Sequence, residues 1–335
     1  MLASALLTTA TVGLLASSAS ATLKISSALS VIEYTPELWA IRQASSSSGS
    51  SSSSSPSIAT ITNGGVANIV TDTSVDLASN AETQALRQFA THKNLRIIYT
   101  VAEVAYRLVA RSASATTVAG LKGKRIGTMP GTSAAYFVER ILQDVGGLAP
   151  SDYTVVSGNI CMANPCGAGS LPYMLAHGTI DAAGMWEPTM QLVLDALGTA
   201  GVPHTVFQNG SVYSEVFNLH STSEKLADAA KRKEIVAFLK LLDKAEAQFA
   251  APAGPSDAIV SLVASSVSGL AGNTSLVKAV WPVHTWTGDL HADKVLDVLV
   301  QEDAWVAHVD RRSAMSRETL ATLIDASVLA EARQG

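Results

Sequence analysis

The residues best placed to do chemistry follow a short hydrophobic segment near the middle of the chain. Residues 124–128 are predicted to form a buried strand and residues 129–132 a Pro-Gly turn, with Thr132 or Ser133 capping the helix that follows. A strand that enters a helix through a tight turn leaves backbone N–H groups and the positive end of the helix dipole at the turn. Such a turn favours a carboxylate, sulfonate, phosphate or other strong hydrogen-bond acceptor.

The elements around this turn have a regular order. The helix is predicted to bury one apolar face, and a second strand at residues 180–184 leads through a loop at 186–188 into a helix at 190–197. Strands, turns and helices alternate in this way over most of the chain, whereas the region after residue 224 is predicted to be helical. This alternation predicts parallel α/β layers with ligands at the carboxyl ends of the strands. The predicted apolar face of the first helix consists of Phe137, Val138, Ile141, Leu142 and Val145.

The motifs of common enzyme classes are incomplete in this chain. Residues 131–135 begin like a nucleophile elbow, but Ala135 replaces the second glycine. Residues 167–172 begin like a dinucleotide-binding loop, but a proline stands where the last glycine belongs. The seven histidines are scattered, and His284 and His291 are interpreted as surface or core residues rather than metal ligands. We therefore predict no catalytic residue, no metal site and no cofactor.

The N-terminus and the cysteines predict a secreted protein. Residues 1–21 carry no charged side chain and end in a small-residue pattern, which is typical of a cleaved signal peptide, with an uncleaved anchor as the alternative. The two cysteines, Cys161 and Cys166, lie close together, and in a secreted chain this spacing predicts a disulfide bond. Sequons at Asn209 and Asn273 predict glycosylation sites that fit the same route.

Composition restricts the classes of partner. The net charge is −5 and no long basic run occurs, which argues against nucleic acid as a partner. After residue 21 no stretch is long and apolar enough to insert stably into a membrane. Residues 45–57 are almost entirely serine and are predicted to form a flexible, solvated loop.

The segment 121–190 resembles the second lobe of type II periplasmic-type solute-binding proteins. The resemblance is strongest to the group that contains aliphatic-sulfonate, taurine and nitrate binders and thiamine-pathway pyrimidine-precursor proteins. It rests on Leu-Lys-Gly-Lys at 121–124, Gly-Thr-Ser at 131–133, Gly-Thr-Ile-Asp-Ala at 178–182 and Trp-Glu-Pro at 186–188. The resemblance implies an α/β fold of two lobes, with mixed, mainly parallel sheets flanked by helices and a cleft between the lobes. Lobe 1 is expected at 22–110 and 216–335, with the serine-rich loop inserted in it, and lobe 2 at 111–215.

The resemblance also implies a ligand site in the cleft. Thr132 and Ser133 would offer donors, Trp186 would stack on the body of the ligand, and Glu187 would accept from an amine. Because Glu82 and Glu187 would repel a pure anion, we expect a zwitterion or an amino-heterocycle. The full expected set is Ser27, Glu33, Tyr34, Asn63, Asn80, Glu82, Thr132, Ser133, Asn159, Trp186 and Glu187.

Structural roles remain open for several of these residues. Tyr34 could pack on a helix cap, and Asn80 could itself cap a helix that carries Glu82 in its first turn. Trp186 could anchor the core, and Glu187 could be a carboxylate at the start of a helix.

The sequence therefore predicts a secreted protein that has no enzymatic activity and reversibly binds a small polar or zwitterionic molecule, sulfonate-like or pyrimidine-like, in the cleft between its lobes. The alternatives are an enzyme related to thiamine-pyrimidine synthesis and an interaction protein of the cell exterior. The sequence does not indicate whether a permease is a partner.

Overall fold

The structure is a computed structural model that describes residues 22–47 and 57–334. The predicted signal peptide at 1–21 and most of the predicted serine-rich loop, residues 48–56, lie outside the described residues. In the part of the chain that is described, no helix has the length and apolar character needed to cross a membrane.

The first of two sheets contains six strands. They are β1 (Leu23–Ser27), β2 (Ala59–Asn63), β3 (Leu77–Ala81), β4 (Leu95–Val104), β10 (Glu215–Thr222) and β11 (His284–Asp289). Their spatial order is β11-β4-β10-β3-β1-β2. Strand β1 pairs in parallel with β2 and β3, whereas β10 is antiparallel to β3 and β4, and β11 is antiparallel to β4. We call this sheet and its helices the first lobe.

The second sheet contains five strands, and we call it and its helices the second lobe. The strands are β5 (Arg107–Arg111), β6 (Arg125–Thr128), β7 (Thr154–Ser157), β8 (Ala182–Met185) and β9 (His204–Phe207). Their order is β7-β6-β8-β5-β9, with β6 parallel to β7 and β8, and with β5 antiparallel to β8 and β9. The chain passes between the sheets at residues 105–106 and 208–214. The lobe limits expected at 110/111 and 215/216 stay a prediction.

Helices flank both sheets. In chain order they are α1 (Thr35–Ser47), α2 (Val66–Thr71), α3 (Glu82–Thr91), α4 (Ser133–Asp144), α5 (Leu171–Ala176), α6 (Thr189–Thr199), α7 (Ser223–Ala227), α8 (Ala229–Phe249), α9 (Asp257–Ser266), α10 (Thr274–Val280), α11 (Ala292–Val309), α12 (Arg317–Ala321) and α13 (Ser327–Gln334).

Burial follows from this layered arrangement. Strand β4 lies inside the first sheet, and its residues Ile97, Ile98, Val101 and Val104 are all 0% exposed. A strand covered by helices on both faces needs apolar residues in succession rather than in alternation. Helix α4 buries the predicted face as far as Leu142, but Val145 follows the end of the helix and is 49% exposed, so its assignment to that face was wrong.

Two further local predictions were wrong. Asn80 does not cap a helix, because it lies within β3, and α3 begins at Glu82 after Ala81 without a side-chain cap. The region after residue 224 is not wholly helical, since His284–Asp289 forms β11 at the edge of the first sheet. Its partner, β4, is distant in the sequence, so no local pattern indicates the pairing.

The predicted disulfide bond is confirmed. Cys161 and Cys166 are joined, with a Cα–Cα distance of 5.7 Å, in the loop between β7 and α5. The loop also contacts the first lobe, where Met162 packs closely against Gly269. A Cβ atom added to Gly269 would lie only 2.7 Å from the Cβ atom of Met162. The bond therefore stiffens a second-lobe loop that touches the first lobe.

We expect the double substitution Cys161→Ser/Cys166→Ser to lower the free energy of unfolding by about 2 kcal/mol, because opening a short covalent loop increases the entropy of the unfolded chain. Chemical denaturation of both proteins would measure this difference. Equal midpoints and slopes would contradict the prediction.

Candidate functional site

A cavity of about 160 Å³ lies between the two lobes. The first lobe contributes the loop after β1, the end of β3, the start of α3 and the start of β10. The second lobe contributes the first residues of α4 and the loop after β8. The lining residues are Ala28, Ser30, Val31, Glu33, Asn80, Ala81, Gln84, Thr132, Ser133, Trp186, Glu215 and Phe217.

The topology explains why these residues meet. Strands β1 and β3 run in parallel in the first sheet, and β6 and β8 run in parallel in the second. The carboxyl ends of parallel strands share one edge of a sheet, so the loops after them lie together. The structure therefore brings together five residues expected from the sequence: Glu33, Asn80, Thr132, Ser133 and Trp186.

Two residues that line this cavity each carry a buried polar atom without a protein partner. The Nε1 atom of Trp186 is buried and donates no hydrogen bond within the described residues. The Oε2 atom of Glu33 is buried and accepts none there. An unmatched buried donor or acceptor costs free energy, typically about 1–3 kcal/mol. Two residues of the lining thus each carry one polar atom that the protein leaves unsatisfied.

His284 fixes the position of Glu33. Its Nε2 lies 3.2 Å from Glu33 Oε1, and its Nδ1 lies 2.9 Å from the carbonyl oxygen of Val280. A carbonyl and a carboxylate are both acceptors, so both ring nitrogens donate when the imidazole is protonated. Burial disfavours the charged ring, but the hydrogen bond and the charge of Glu33 outweigh it and raise the pKa of His284. Glu33 is therefore held through one oxygen, while the other is buried and unmatched.

Glu215 closes the inner end of the cavity. Its Oε2 accepts hydrogen bonds from Tyr106 Oη and from Ser133 Oγ, the latter at 3.2 Å. Burial, followed by the negative charges of Glu33 and Glu82, raises the pKa of Glu215 well above its usual range. The Ser133 hydroxyl group is therefore already engaged as a donor.

The hydroxyl group of Thr132 has a local role. It donates to the carbonyl oxygen of Met129 at 2.7 Å and so closes the turn before α4. Gly131 in the same turn has φ +75°, a conformation that favours glycine. The donors that the turn leaves for a ligand are the first backbone N–H groups of α4, which have no intrahelical acceptor.

Four expected first-lobe residues lie outside the cavity lining. Ser27 is fully buried and accepts from Ser79 Oγ at 2.6 Å, and Tyr34 donates to the Ser266 carbonyl oxygen at 2.8 Å. Asn63 is exposed and accepts from the Leu29 N–H at 3.3 Å. Glu82 is buried behind the cavity and accepts from Tyr213 Oη and from the Val216 N–H.

In the second lobe, Glu187 and Asn159 are also outside the lining. Arg107 Nε donates to Glu187 Oε1 at 2.8 Å, and both side chains are largely buried. The Gln191 N–H donates to the other oxygen of Glu187 at 3.0 Å. Glu187 is therefore satisfied by protein groups near the start of α6. Asn159 is exposed and forms a backbone bridge with Ser170.

The sequence interpretation missed several lining residues. Gln84 lies two positions after Glu82 on α3, where the helix turns toward the cavity. Glu215 and Phe217 enter through β10, which returns from the second lobe and pairs with β3 and β4. No local pattern identifies Glu215 as a cavity residue, because its position depends on this long-range pairing.

The two predicted glycosylation sites are accessible. Asn209 and Asn273 are both exposed, and Asn273 also caps α10 by accepting from the Leu276 N–H at 3.0 Å. Their modification stays a prediction.

The structural role of Glu187 can be tested directly. Arg107→Met should lower the free energy of unfolding by about 3 kcal/mol, because Glu187 would remain as a buried, unpaired carboxylate. The double variant Arg107→Met/Glu187→Gln should lose less than half as much free energy of unfolding, because it also removes the unpaired negative charge of Glu187. Denaturant titration of the three proteins gives the comparison, and equal losses in both variants would refute the assignment.

Solved structures share this fold. The ligand-binding component of an ABC-type import system from Staphylococcus aureus has a TM-score of 0.67 and 11% identity, covering 94% of this chain and 99% of that chain. The alkanesulfonate-binding protein SsuA from Xanthomonas axonopodis pv. citri has a TM-score of 0.59 and 19% identity, covering 91% and 98%. The desulfurization enzyme DSZB has a TM-score of 0.59 and 14% identity, covering 93% and 99%. At these identities the likeness establishes the fold alone.

These findings confirm the predicted type II periplasmic-binding-protein fold. The matches include both binding proteins and an enzyme, so the fold by itself is compatible with either activity. No curated protein matches the chain. The model of the family described as NMT1/THI5 like matches residues 58–252, which is more than half of the chain. The chain therefore belongs to the NMT1/THI5-like family.

Proposed function

We propose that this chain is a secreted solute-binding protein that reversibly binds one small zwitterionic or amino-heterocyclic molecule in the cleft between its lobes. The observation that supports the proposal is that two residues lining one cavity each carry an unmatched buried polar atom, Trp186 Nε1 and Glu33 Oε2. A ligand with an acceptor and an N–H donor would satisfy both atoms at once. Binding would be favourable because each of the two buried atoms would gain the hydrogen bond that it lacks in the free protein.

The charge of the cavity argues against a purely anionic ligand. None of the lining residues is Lys or Arg, whereas the carboxylate of Glu33 is among them. The backbone N–H groups at the start of α4 could receive a carboxylate or sulfonate group. Glu33 would then accept from an amine or ring N–H of the same molecule. A zwitterion or an amino-heterocycle satisfies both ends, and a simple alkanesulfonate satisfies only one.

The size and wall of the cavity favour a compact ligand. A volume of about 160 Å³ suits a small molecule. The half-buried indole of Trp186 offers a flat surface on which a ring or short alkyl chain can stack.

Contacts between the lobes support a closing mechanism. Arg87 on α3 donates to the Gly131 carbonyl oxygen in the turn before α4. Trp305 on α11 donates to Glu139 on α4 at 3.0 Å. These hydrogen bonds join the first lobe to the second and would be lost when the cleft opens. A ligand that contacts both walls would favour the closed arrangement.

Catalysis is the second candidate function, favoured by the family membership and by the likeness to a desulfurization enzyme. Both cysteines of the sequence are in the disulfide bond, so neither is free to act as a thiol nucleophile. Incubating the protein with each ligand, with and without ferrous iron, and following products by mass spectrometry would distinguish an enzyme from a binder.

The ligand class can be found by thermal-shift screening. We expect a hit among amino acids, aminosulfonates and thiamine-pathway pyrimidines, and none among simple alkanesulfonates. A ligand at about one hundred times its dissociation constant adds roughly 2.7 kcal/mol to the stability, which gives a measurable rise in melting temperature. A preference for alkanesulfonates would contradict the proposed chemistry.

Trp186→Ala should weaken binding of that ligand by about thirtyfold or more, because the substitution removes both the stacking surface and the Nε1 donor. Isothermal calorimetry measures the change. Trp39→Ala is the matched control, since Trp39 lies outside the cavity and donates to Gln248. Equal affinities for all three proteins would remove Trp186 from the site.

Glu33→Gln should weaken binding of a ligand that carries an amine by about tenfold, because it removes the negative acceptor. It should change the affinity for the deaminated analogue far less. Comparing the two ligands on both proteins isolates the Glu33 contact from any general effect of the substitution. The same loss for both ligands would indicate a structural effect only.

A further inference from the structure

Two helices of the first lobe, α3 and α11, pack against each other behind the cleft and contact the second lobe. Arg87 on α3 donates to the Gly131 carbonyl oxygen, and Trp305 on α11 donates to Glu139 on α4. The indole of Trp305 also packs on the ring of Tyr136 on α4, with centroids 5.4 Å apart. The position of α3 relative to α11 therefore affects how the second lobe rests on the first.

A pair of buried glutamates joins these two helices. Glu82 is the first residue of α3 and is 0% exposed, and Glu302 on α11 is 1% exposed. Their carboxyl groups are hydrogen-bonded to each other. Glu82 also accepts from Tyr213 Oη at 2.7 Å and from the Val216 N–H at 2.8 Å. Neither oxygen of Glu302 accepts from an N–H or hydroxyl group in the described part of the chain, so Glu82 is the group that holds it.

The hydrogen bond within this pair requires a proton. Two carboxylates are both acceptors, so one of the groups must be a carboxylic acid that donates to the other. Because Glu82 already accepts from two donors, Glu302 is the donor. Burial, followed by the charge of Glu82 and this hydrogen bond, raises the pKa of Glu302 well above its usual range. Burial also raises the pKa of Glu82, although its hydrogen bonds oppose the shift.

We propose that the Glu82–Glu302 pair is a pH-sensitive latch, which holds the lobes closed while it shares a proton and releases them when that proton is lost. The inference rests on the lobe closure of the proposed function and adds the regulation of that closure by pH. Loss of the proton leaves two negative charges in contact inside the protein. Such a pair is far more costly when buried than when hydrated, because water no longer screens the repulsion.

The second lobe helps to keep water away from the pair. Tyr136 on α4 lines the same cavity of about 290 Å³ as Glu302 and Tyr213, and the two tyrosine rings are 5.6 Å apart. Burial and the charge of Glu302 raise the pKa of Tyr136, so this second-lobe side chain lies close to the pair. Opening of the cleft would withdraw Tyr136 with α4 and admit water beside the glutamates. Ionisation of the pair therefore favours the open arrangement.

The groups that face the pair do not neutralise it. Tyr213 faces it from the crossing between the lobes, and burial raises the pKa of this tyrosine well above its usual range. Glu215 on β10 faces it with a further carboxyl group, which is itself close to Glu33. The basic side chains on the surrounding elements have acidic partners of their own: Lys294 pairs with Glu103, Arg87 with Asp310, Arg140 with Asp144, and Arg312 with Asp303.

The raised pKa of Glu302 determines the direction of the response. A glutamate whose pKa lies above the usual value of 4.5 binds its proton more tightly in the closed protein than in water. The contribution of the pair to closure is therefore complete below that usual value and is lost as the pH rises through the raised pKa. One proton released on opening increases the ratio of open to closed protein by up to about tenfold per pH unit in this window.

The test measures the distance between the lobes in the ligand-free protein. Spin labels at Val145→Cys and Val309→Cys lie on different lobes, because Val145 follows α4, Val309 ends α11, and both side chains are exposed. The native cysteines are joined to each other, so the labels attach only at the introduced ones. Pulsed electron paramagnetic resonance should show a growing population at the longer distance as the pH rises from about 6 to about 9.

Two substitutions in the labelled protein should suppress this response. Glu302→Gln keeps an N–H donor for Glu82 but has no proton to lose, and Glu302→Met replaces the group by an apolar side chain of similar length. Either variant should reduce the change in the ratio of open to closed protein by at least about tenfold over the same range. Using both keeps the test decisive if one variant folds poorly.

Glu37→Gln is the matched control. Glu37 is another fully buried glutamate of the first lobe, on α1, and burial raises its pKa to about 8. Its substitution should reduce the pH dependence of unfolding but leave the response of the lobe distance unchanged.

Three results would each overturn the proposal: a distance that does not change with pH in the labelled protein without further substitution, the same change in a folded Glu302→Gln or Glu302→Met protein, or loss of the change in Glu37→Gln. Because no ligand is present, a failed ligand screen leaves this test intact. An unchanged distance likewise leaves the proposed binding function to be judged by the ligand screen.

Discussion

The carboxyl group of Glu215 is the interaction on which the rest of the site depends. It accepts from Tyr106, in the segment that leaves the first lobe, and from Ser133, at the start of α4 in the second lobe. Glu215 itself begins β10, the strand that returns to the first lobe. A buried carboxyl group without donors is costly, so the two hydrogen bonds hold both crossings and α4 in one arrangement. The cleft cavity is the space beside this junction.

The junction also determines the character of the cleft. The hydroxyl groups of Tyr106 and Ser133 donate to Glu215, and the hydroxyl group of Thr132 donates within the turn before α4. The donors that remain for a ligand are backbone N–H groups and the Trp186 indole, and the free acceptor is Glu33. The fold is shared with a protein named as an alkanesulfonate binder, but a shared fold does not transfer a ligand. The proposed ligand class is therefore inferred from the chemistry of the lining residues.

Several acidic residues of this chain are buried, and different protein groups stabilise each of them. Glu33 is held by His284, Glu187 by Arg107, and Glu215 by two hydroxyl groups. Glu302 lies beside the carboxyl group of Glu82 and hydrogen-bonds to it, and burial raises the pKa of both groups. Each of these acids therefore has a partner within the protein, as is general for buried polar groups.

Neighbouring residues in the sequence specify the local units of the fold. The turn before α4, the loop after β8 and the close cysteine pair are all encoded by neighbouring residues, and they sufficed to predict the architecture, the disulfide bond and five residues of the cleft. The same local patterns could not distinguish Glu33, which lines the cleft, from Glu82, which lies behind it. That difference arises because β10 pairs with β3 and β4 and brings Val216 onto Glu82, 134 positions away. Which carboxyl groups line the cleft and which are satisfied elsewhere in the protein depends on the tertiary structure, because hydrogen bonding between distant segments sets the direction of each side chain.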